Sequence, residues 1–311
     1  MDYVTIPNTE LTVPGLTLGT WVFGGMNWGG ADEKSCIRTV HAARDAGMNM
    51  IDTAPIYGKG RSEEIVGKAI KEQRDKYIVA TKCGLLAVDG GIQNNLQPES
   101  IRRELEGSLK RLNTDYIDIY QCHWPDPDTD IEVTMDCLKS LCSEGKIRHI
   151  GVSNFDGKLL ARAHSVAAVV TLQSQYSMLV RDVERSILPF CRQHGIGFLA
   201  YGPLAGGILT GKYRKPQQFK PQDVRSFFYK YYFGKGFERV QTLLKTLDEI
   251  GRPLNQTAIN WVRQTRGVSS VLVGCRNPEQ VASNAAACDW TLSDEQVESI
   301  AQALRGLDDE S

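Results

Sequence analysis

Apolar runs alternate with amphipathic stretches down the whole chain, and the alternation predicts the architecture before any single residue does. Short runs rich in β-branched and aromatic residues predict strands at 18–21, 48–52, 77–82, 116–123, 147–153, 169–175, 196–201 and 268–274. Helical spacing of apolar positions predicts helices at 33–46, 62–72, 98–112, 131–144, 184–194, 238–250, 256–266 and 278–287. Boundary chemistry agrees: Pro98-Glu99-Ser100 opens IRRELEGSLKRL, and Gly145 and Gly195 stand just past helix ends. Eight strand-then-helix units predict an α/β fold with a parallel sheet, and eight is the number that closes a (β/α)8 TIM barrel. A stretch rich in Thr and Val before the first unit predicts a short N-terminal hairpin. We expect residues 1–311 to form one barrel domain, because such barrels commonly run to about 250 residues or more.

The rival architecture, a doubly wound open sheet, would carry a Gly-rich phosphate loop after its first strand. No G-x-G-x-x-G occurs in the chain. GGILTGKY (206–213) approaches a phosphate loop but ends in Tyr213, where a Ser or Thr would have to hold magnesium. Between the seventh and eighth predicted strands, KPQQFKPQDVRSFFYKYYFGKG (215–236) is rich in aromatics and has no clear period. A long loop of this kind on a compact fold is usually functional, and we expect it to close over part of a pocket.

Composition narrows the partners. The 36 basic and 37 acidic residues are interleaved and give a formal charge of -1, so no face is built to track a nucleic-acid backbone. The eight cysteines are scattered through apolar runs, without the spacing of a secreted disulfide framework or a zinc pair. MDYVTIPNTE lacks the basic and apolar regions of a signal peptide, and no apolar run approaches the ~18 residues of a membrane span. The expectation is a cytoplasmic protein with a small-molecule partner, no membrane and no nucleic acid; the sequence leaves its oligomeric state open.

In a barrel of this type the site lies at the C-terminal ends of the strands, so the polar residue closing each apolar run becomes the candidate. Those residues are Asp52, Lys82, His123, Ser153 with Asn154, Gln173 with Gln175, and Tyr201. Tyr57 joins them from the Pro-containing turn in IDTAPIYGKGRSEE (51–64), which leaves through Gly58 and Gly60 toward a helix for which Ser62 is the candidate cap. One histidine and one carboxylate make a poor metal cage, whereas an acid, an ammonium, an imidazole and a phenol make a proton-transfer set. A phenol has a pKa of roughly 10, and a neighbouring ammonium is expected to lower it. Singly, each residue also has a structural reading: Asp52 as a turn former, Tyr57 as packing, Lys82 as a solvated strand end, His123 as a bonded core histidine. Their agreement in order, spacing and placement at or just after strand ends is what favours the chemical reading.

The runs GTW (19–21), IDTAPIYGKGRSEEIVGKAI (51–70), ATKCG (80–84), QCHWPDP (121–127), IGVSNF (150–155), LQSQYS (172–177), AYGPLAGGILTGKY (200–213) and VGCRNPEQVASN (273–284) together resemble the aldo-keto reductase superfamily over nearly the whole chain. The resemblance is strongest to the bacterial branch that includes relatives of the potassium-channel β-subunit. It implies NADP(H)-dependent reduction of an aldehyde, ketone or sugar carbonyl, or the reverse oxidation, with NAD(H) also possible. It assigns a catalytic tetrad to Asp52, Tyr57, Lys82 and His123, with Tyr57 as general acid or base. Ser153, Asn154 and Gln173 would hold the nicotinamide carboxamide, and Tyr201 would stack on the ring. The pyrophosphate would be covered by Gly202, Pro203, Leu204, Gly207, Gly211 and Lys212. Arg276 and Gln280 would hold a 2′-phosphate and Asn284 the adenine, and Gly274 would also bind the cofactor. Gly19, Thr20 and Trp21 would also border the cofactor, and Trp21, Ile56, Tyr57, His123 and Trp124 the substrate. A guanidinium beside the start of the last predicted helix has its own physical rationale as an anion contact. A channel-type regulatory or sensor subunit that binds NADP(H) with little turnover is the alternative; a cofactor-free barrel isomerase or lyase is a third reading.

Overall fold

The structure, a computed structural model, describes residues 1–25, 30, 32–89 and 91–308. Among the described residues twelve strands follow in chain order: β1 Tyr3–Thr5, β2 Thr12–Pro14, β3 Leu16–Gly19, β4 Met50–Asp52, β5 Ile78–Cys83, β6 Leu85–Val88, β7 Gly91–Asn94, β8 Ile117–Cys122, β9 Ile147–Ser153, β10 Val169–Gln175, β11 Gly197–Tyr201 and β12 Val268–Gly274. Eight of them, β3, β4, β5, β8, β9, β10, β11 and β12, pair in parallel and in chain order, and β12 returns to β3 to close the barrel. Around it run α1 Glu33–Asp45, α2 Arg61–Ile70, α3 Pro98–Leu112, α4 Ile131–Ser143, α5 Gly157–Val166, α6 Ile187–His194, α7 Lys230–Phe233, α8 Phe237–Asp248, α9 Leu254–Gln264, α10 Pro278–Ala285 and α11 Asp294–Asp308. The expected (β/α)8 barrel and the short N-terminal hairpin, β1 paired antiparallel with β2, are both present.

Two apolar layers explain why these elements close. Strand residues facing outward, among them Leu18, Ile51, Val79, Tyr120, Val152 and Phe198, pack against the helices in one continuous buried cluster. Residues facing inward, Met50, Ala80, Ile119, Leu199 and Leu272, form a smaller cluster with Ile6, Leu11 and Val13 of the hairpin region. The hairpin therefore plugs the N-terminal end of the barrel with apolar side chains, which leaves the opposite end for chemistry. Among the described residues, no helix is long and apolar enough to cross a membrane.

The differences from the predicted elements are local. β3 ends at Gly19, so Thr20 and Trp21 lie beyond the strand, and Trp21 opens a 3₁₀ turn to Gly24. The helix α5, the hairpin of β6 and β7, and α11 were not predicted. Segment 215–236 is not without structure: it contains a 3₁₀ turn at Val224–Ser226 and the single-turn α7.

Candidate active site

The mouth at the C-terminal ends of the strands holds a cavity of about 690 Å³. Of the residues singled out from the sequence, all line it except Lys82, which is buried behind Asp52 and Tyr57, and Gly211. Gly211 instead forms a left-handed turn whose α-carbon is crowded by Leu254 Cδ1, leaving no room for a Cβ.

Tyr57 reaches this mouth because two backbones touch. A Cβ on Gly24 would lie 2.6 Å from the Gly58 nitrogen, and one on Gly58 would lie 2.4 Å from the Gly24 oxygen. With φ of +65° at Gly58, the turn after β4 folds flat on the 3₁₀ turn that carries Trp21, and the Trp21 and Tyr57 rings stack at 5.8 Å. Ser62 does not cap the helix as predicted. It lies inside α2, buried, and its hydroxyl donates to the backbone oxygen and Oγ1 of Thr20, while Gly60 in the left-handed region precedes the helix. That bond ties the entrance of α2 to the end of β3, so Ser62 fastens the turn rather than the helix terminus.

At the bottom of the cavity Lys82 Nζ donates to Asp52 Oδ1 at 2.6 Å, to the Thr53 carbonyl at 3.0 Å and to Tyr57 Oη at 3.3 Å. His123 meets Tyr57 edge to face, with ring centroids 5.8 Å apart. Both members of the Lys82–Asp52 pair are almost completely buried. Burial pushes the Lys82 ammonium below its usual range, with the Asp52 carboxylate opposing the shift.

The expected lowering of the Tyr57 pKa is not what the structure shows. Burial, with the Asp52 carboxylate adding to it, pushes the phenol well above its ordinary range. The reason is geometric: Lys82 makes its shortest contact with Asp52, and the phenol is enclosed by Trp21 and His123. Tyr57 is thus held protonated. His123 is pushed well below its ordinary value by burial and by the Lys82 charge. It stays a neutral imidazole, able to donate one hydrogen bond.

Around this centre the backbone fixes the polar lining. Asn154 adopts φ of +60°; its Nδ2 donates to the His123 carbonyl and to Ser153 Oγ, and its Oδ1 accepts from Tyr201 Oη, each at 3.0 Å. Tyr201 is thereby held with its ring toward the cavity. At the far end Arg276, Gln280 and Asn284 line the cavity beside α10, whose N-cap is Asn277. Asn255, not among the site residues expected from the sequence, donates to Asn284 Oδ1 at 2.9 Å and to Ser283 Oγ at 3.0 Å.

Sequence reasoning also missed residues on two irregular segments. Leu85 and Ile92 come from the β6–β7 hairpin, and Arg225, Phe227, Phe228 and Tyr229 from the long 215–236 segment. Phe228 meets Trp21 edge on at 6.1 Å, so that segment does border the pocket. A second cavity of about 270 Å³ shares Trp21, Ile56 and Ile92 with the first and adds Lys59, Ala87, Val88 and Asp89.

The donors suit a nicotinamide dinucleotide on their own chemistry. Buried Ser153 and Gln173 and half-buried Asn154 offer hydroxyl and amide groups in the cavity that the Tyr201 ring also lines. Then come the left-handed glycines Gly206 and Gly207, which let a ligand approach the backbone, and the cations Lys212 and Arg276.

Comparison with known proteins agrees. The profile described as the Aldo/keto reductase family matches residues 15–305. The aldo-keto reductase YhdN of Bacillus subtilis is 40% identical over 96% of this chain and 92% of its own length. The NADH-specific methylglyoxal reductase of Escherichia coli is 37% identical over 94% and 95%. A probable voltage-gated potassium channel subunit beta of Oryza sativa subsp. japonica is 32% identical over 93% and 92%. The solved structure of the glycerol dehydrogenase AKR11B4 from Gluconobacter oxydans superposes with a TM-score of 0.90 at 37% identity, covering 98% of this chain and 95% of that one. With its closed barrel, its convergent strand ends and these relatives, the chain belongs to the aldo/keto reductase family.

Proposed function

We propose that this chain, as one barrel domain, is an NADP(H)-dependent oxidoreductase that reduces an aldehyde, ketone or sugar carbonyl to the alcohol, or runs the reverse oxidation. The observation that carries the reading is the meeting of Tyr57, Lys82, Asp52 and His123 at one end of a groove whose lining suits a nicotinamide dinucleotide. A bound nicotinamide would supply or accept the hydride. Tyr57 would give its proton to the carbonyl oxygen, and Lys82 at 3.3 Å would stabilise the phenolate left behind. Transfer needs that help, because burial alone makes phenolate costly. Neutral His123 would donate to the same oxygen and orient it. Trp21, Ile56 and Trp124 would wall the substrate.

Arg276 supports NADP(H), since a guanidinium suits a 2′-phosphate. The relative named as NADH-specific keeps NAD(H) as the competitor. The channel β-subunit relative supports a second reading, a cofactor-binding regulatory subunit with little turnover. Cofactor oxidation with a panel of small aldehydes, diketones and aldoses separates the two. We expect steady turnover that falls at least a thousandfold in Tyr57→Phe while cofactor still quenches tryptophan fluorescence. Equal, negligible rates in both proteins would reject the enzyme.

A further inference from the structure

We infer that Gln121 is a positioning residue that joins the proton-transfer centre to the carboxamide-binding amide of Gln173; this rests on the oxidoreductase reading above. Gln121 is fully buried on β8, two residues before His123. Its Nε2 donates to Asp52 Oδ2 at 3.1 Å, and its Oε1 accepts from Gln173 Nε2 at 3.3 Å. Gln173 Nε2 also donates to Asp52 Oδ2 at 2.8 Å, while Asp52 Oδ1 accepts from Lys82. Three side chains therefore converge on one carboxylate, and Gln121 closes the triangle between Asp52 and Gln173.

Hydrogen counting shows what the triangle does. An amide nitrogen has two hydrogens, and Gln173 commits both, one to Asp52 and one to Gln121. Its Oε1 is then the atom left for a ligand in the cavity that Gln173 lines, and it can accept from a carboxamide N–H. Turning the Gln173 amide over would set its oxygen against both Asp52 Oδ2 and Gln121 Oε1, three acceptors together in a buried site. Gln121 is itself fixed by neighbours. In the barrel register Lys82, Gln121, Gly151 and Thr171 form one row. A Cβ on Gly151 would stand 2.7 Å from Gln121 Cγ and 2.6 Å from Thr171 Oγ1, so the glycine is the space that Gln121 occupies. Strand β9 gives up a side chain at the centre of the barrel to seat this amide.

Two variants test the assignment in the full-length protein. Gln121→Leu removes both bonds; we expect NADPH to bind about tenfold more weakly and kcat to fall about tenfold, with KM for a small aldehyde changed less than kcat. Gln121→Glu keeps the shape and makes the function pH-dependent. A carboxyl so close to Asp52 has its pKa raised by the like charge. While protonated it donates to Asp52 and accepts from Gln173 as the amide does; once ionised it repels Asp52. The ratio of Gln121→Glu to wild-type kcat should therefore decline as pH rises through that raised pKa. A merely structural role would give parallel profiles. The assignment is overturned if Gln121→Leu, folded by circular dichroism, keeps NADPH affinity and kcat within twofold, or if the Gln121→Glu profile parallels the wild type. Wild-type protein that binds NADPH but turns over no carbonyl would instead reject the oxidoreductase reading, and the affinity comparison would still test the hold on Gln173.

Discussion

Single residues here carry consequences that sequence spacing does not reveal. Asp52, Tyr57, Lys82 and His123 are legible because they end or follow apolar runs, and the structure brings them to one place. Gln121 escaped notice because it sits inside a strand, where a polar residue has no positional signal until the barrel closes around it. Glu104 escaped too, inside the helix α3, where one acidic residue among several gives no sign of being buried. Its carboxylate accepts from Gly84 N with both oxygens, at 3.1 Å, and from Ser100 Oγ at 3.3 Å. Burial nevertheless pushes its pKa up from 4.5 to about 7, with the Gly84 bond opposing. The folded state then holds a proton that the unfolded chain releases near its ordinary value. The resulting stabilisation is complete below that value and is lost as pH rises to about 7, by about 3 kcal/mol at most. Glu104→Gln mimics the protonated acid and should flatten the urea midpoint between pH 5 and 7.5, whereas the wild-type midpoint falls. Parallel slopes in the two proteins would show that Glu104 is not the titrating group.

At the scale of elements, the eight barrel strands were predicted because each is a compact, largely apolar run. The misses follow the same logic in reverse. In GKLLARAHSV, the sequence of α5, only Leu160 and Ala163 are buried, so its apolar period is weak. The β6–β7 hairpin is exposed along most of its length and shows no buried face to mark it. That hairpin nonetheless shapes the pocket. Leu85 and Ile92 wall the main cavity, and Ala87, Val88 and Asp89 with Lys59 wall the adjoining one. Under the proposed function, a three-carbon carbonyl reacting at Tyr57 would stay within the main cavity, and a longer substrate would extend past the shared Trp21, Ile56 and Ile92 into the second. Ala87→Trp should fill that space and lower kcat/KM for five- and six-carbon aldoses about tenfold relative to methylglyoxal. Taking variant-to-wild-type ratios removes the open-chain fraction of each sugar. Equal losses for short and long substrates would mean that the hairpin does not contact the substrate tail.

Across the whole molecule, the proposed cofactor groove joins elements far apart in the chain: β9 and β10 at the carboxamide end, the turn after β11 in the middle, and α10 at the far end. The long 215–236 segment borders the same groove, with Phe228 against Trp21. Nearby, Arg225 is bonded to Asp223, whose carboxyl is held below its usual range first by Arg225 and further by Arg276. A ligand filling such a groove stabilises the entire fold by RT ln(1 + [L]/Kd), about 2.7 kcal/mol at a hundredfold excess over Kd. Cofactor choice can therefore be read from thermal unfolding without any substrate. Under the proposed function Arg276 would distinguish a 2′-phosphate from a 2′-hydroxyl, and a charge-assisted pair of this kind is worth roughly tenfold or more in affinity. NADPH should raise the wild-type Tm more than NADH at equal concentration. The tenfold difference in Kd corresponds to about 1.4 kcal/mol, a shift of a few degrees for a chain of this size. Arg276→Ala should abolish the difference by lowering the NADPH shift to the NADH value while leaving the NADH shift in place. Equal loss with both cofactors would mean that Arg276 supports the groove without reading the phosphate. A larger NADH shift in the wild type would place this protein with its NADH-specific relative.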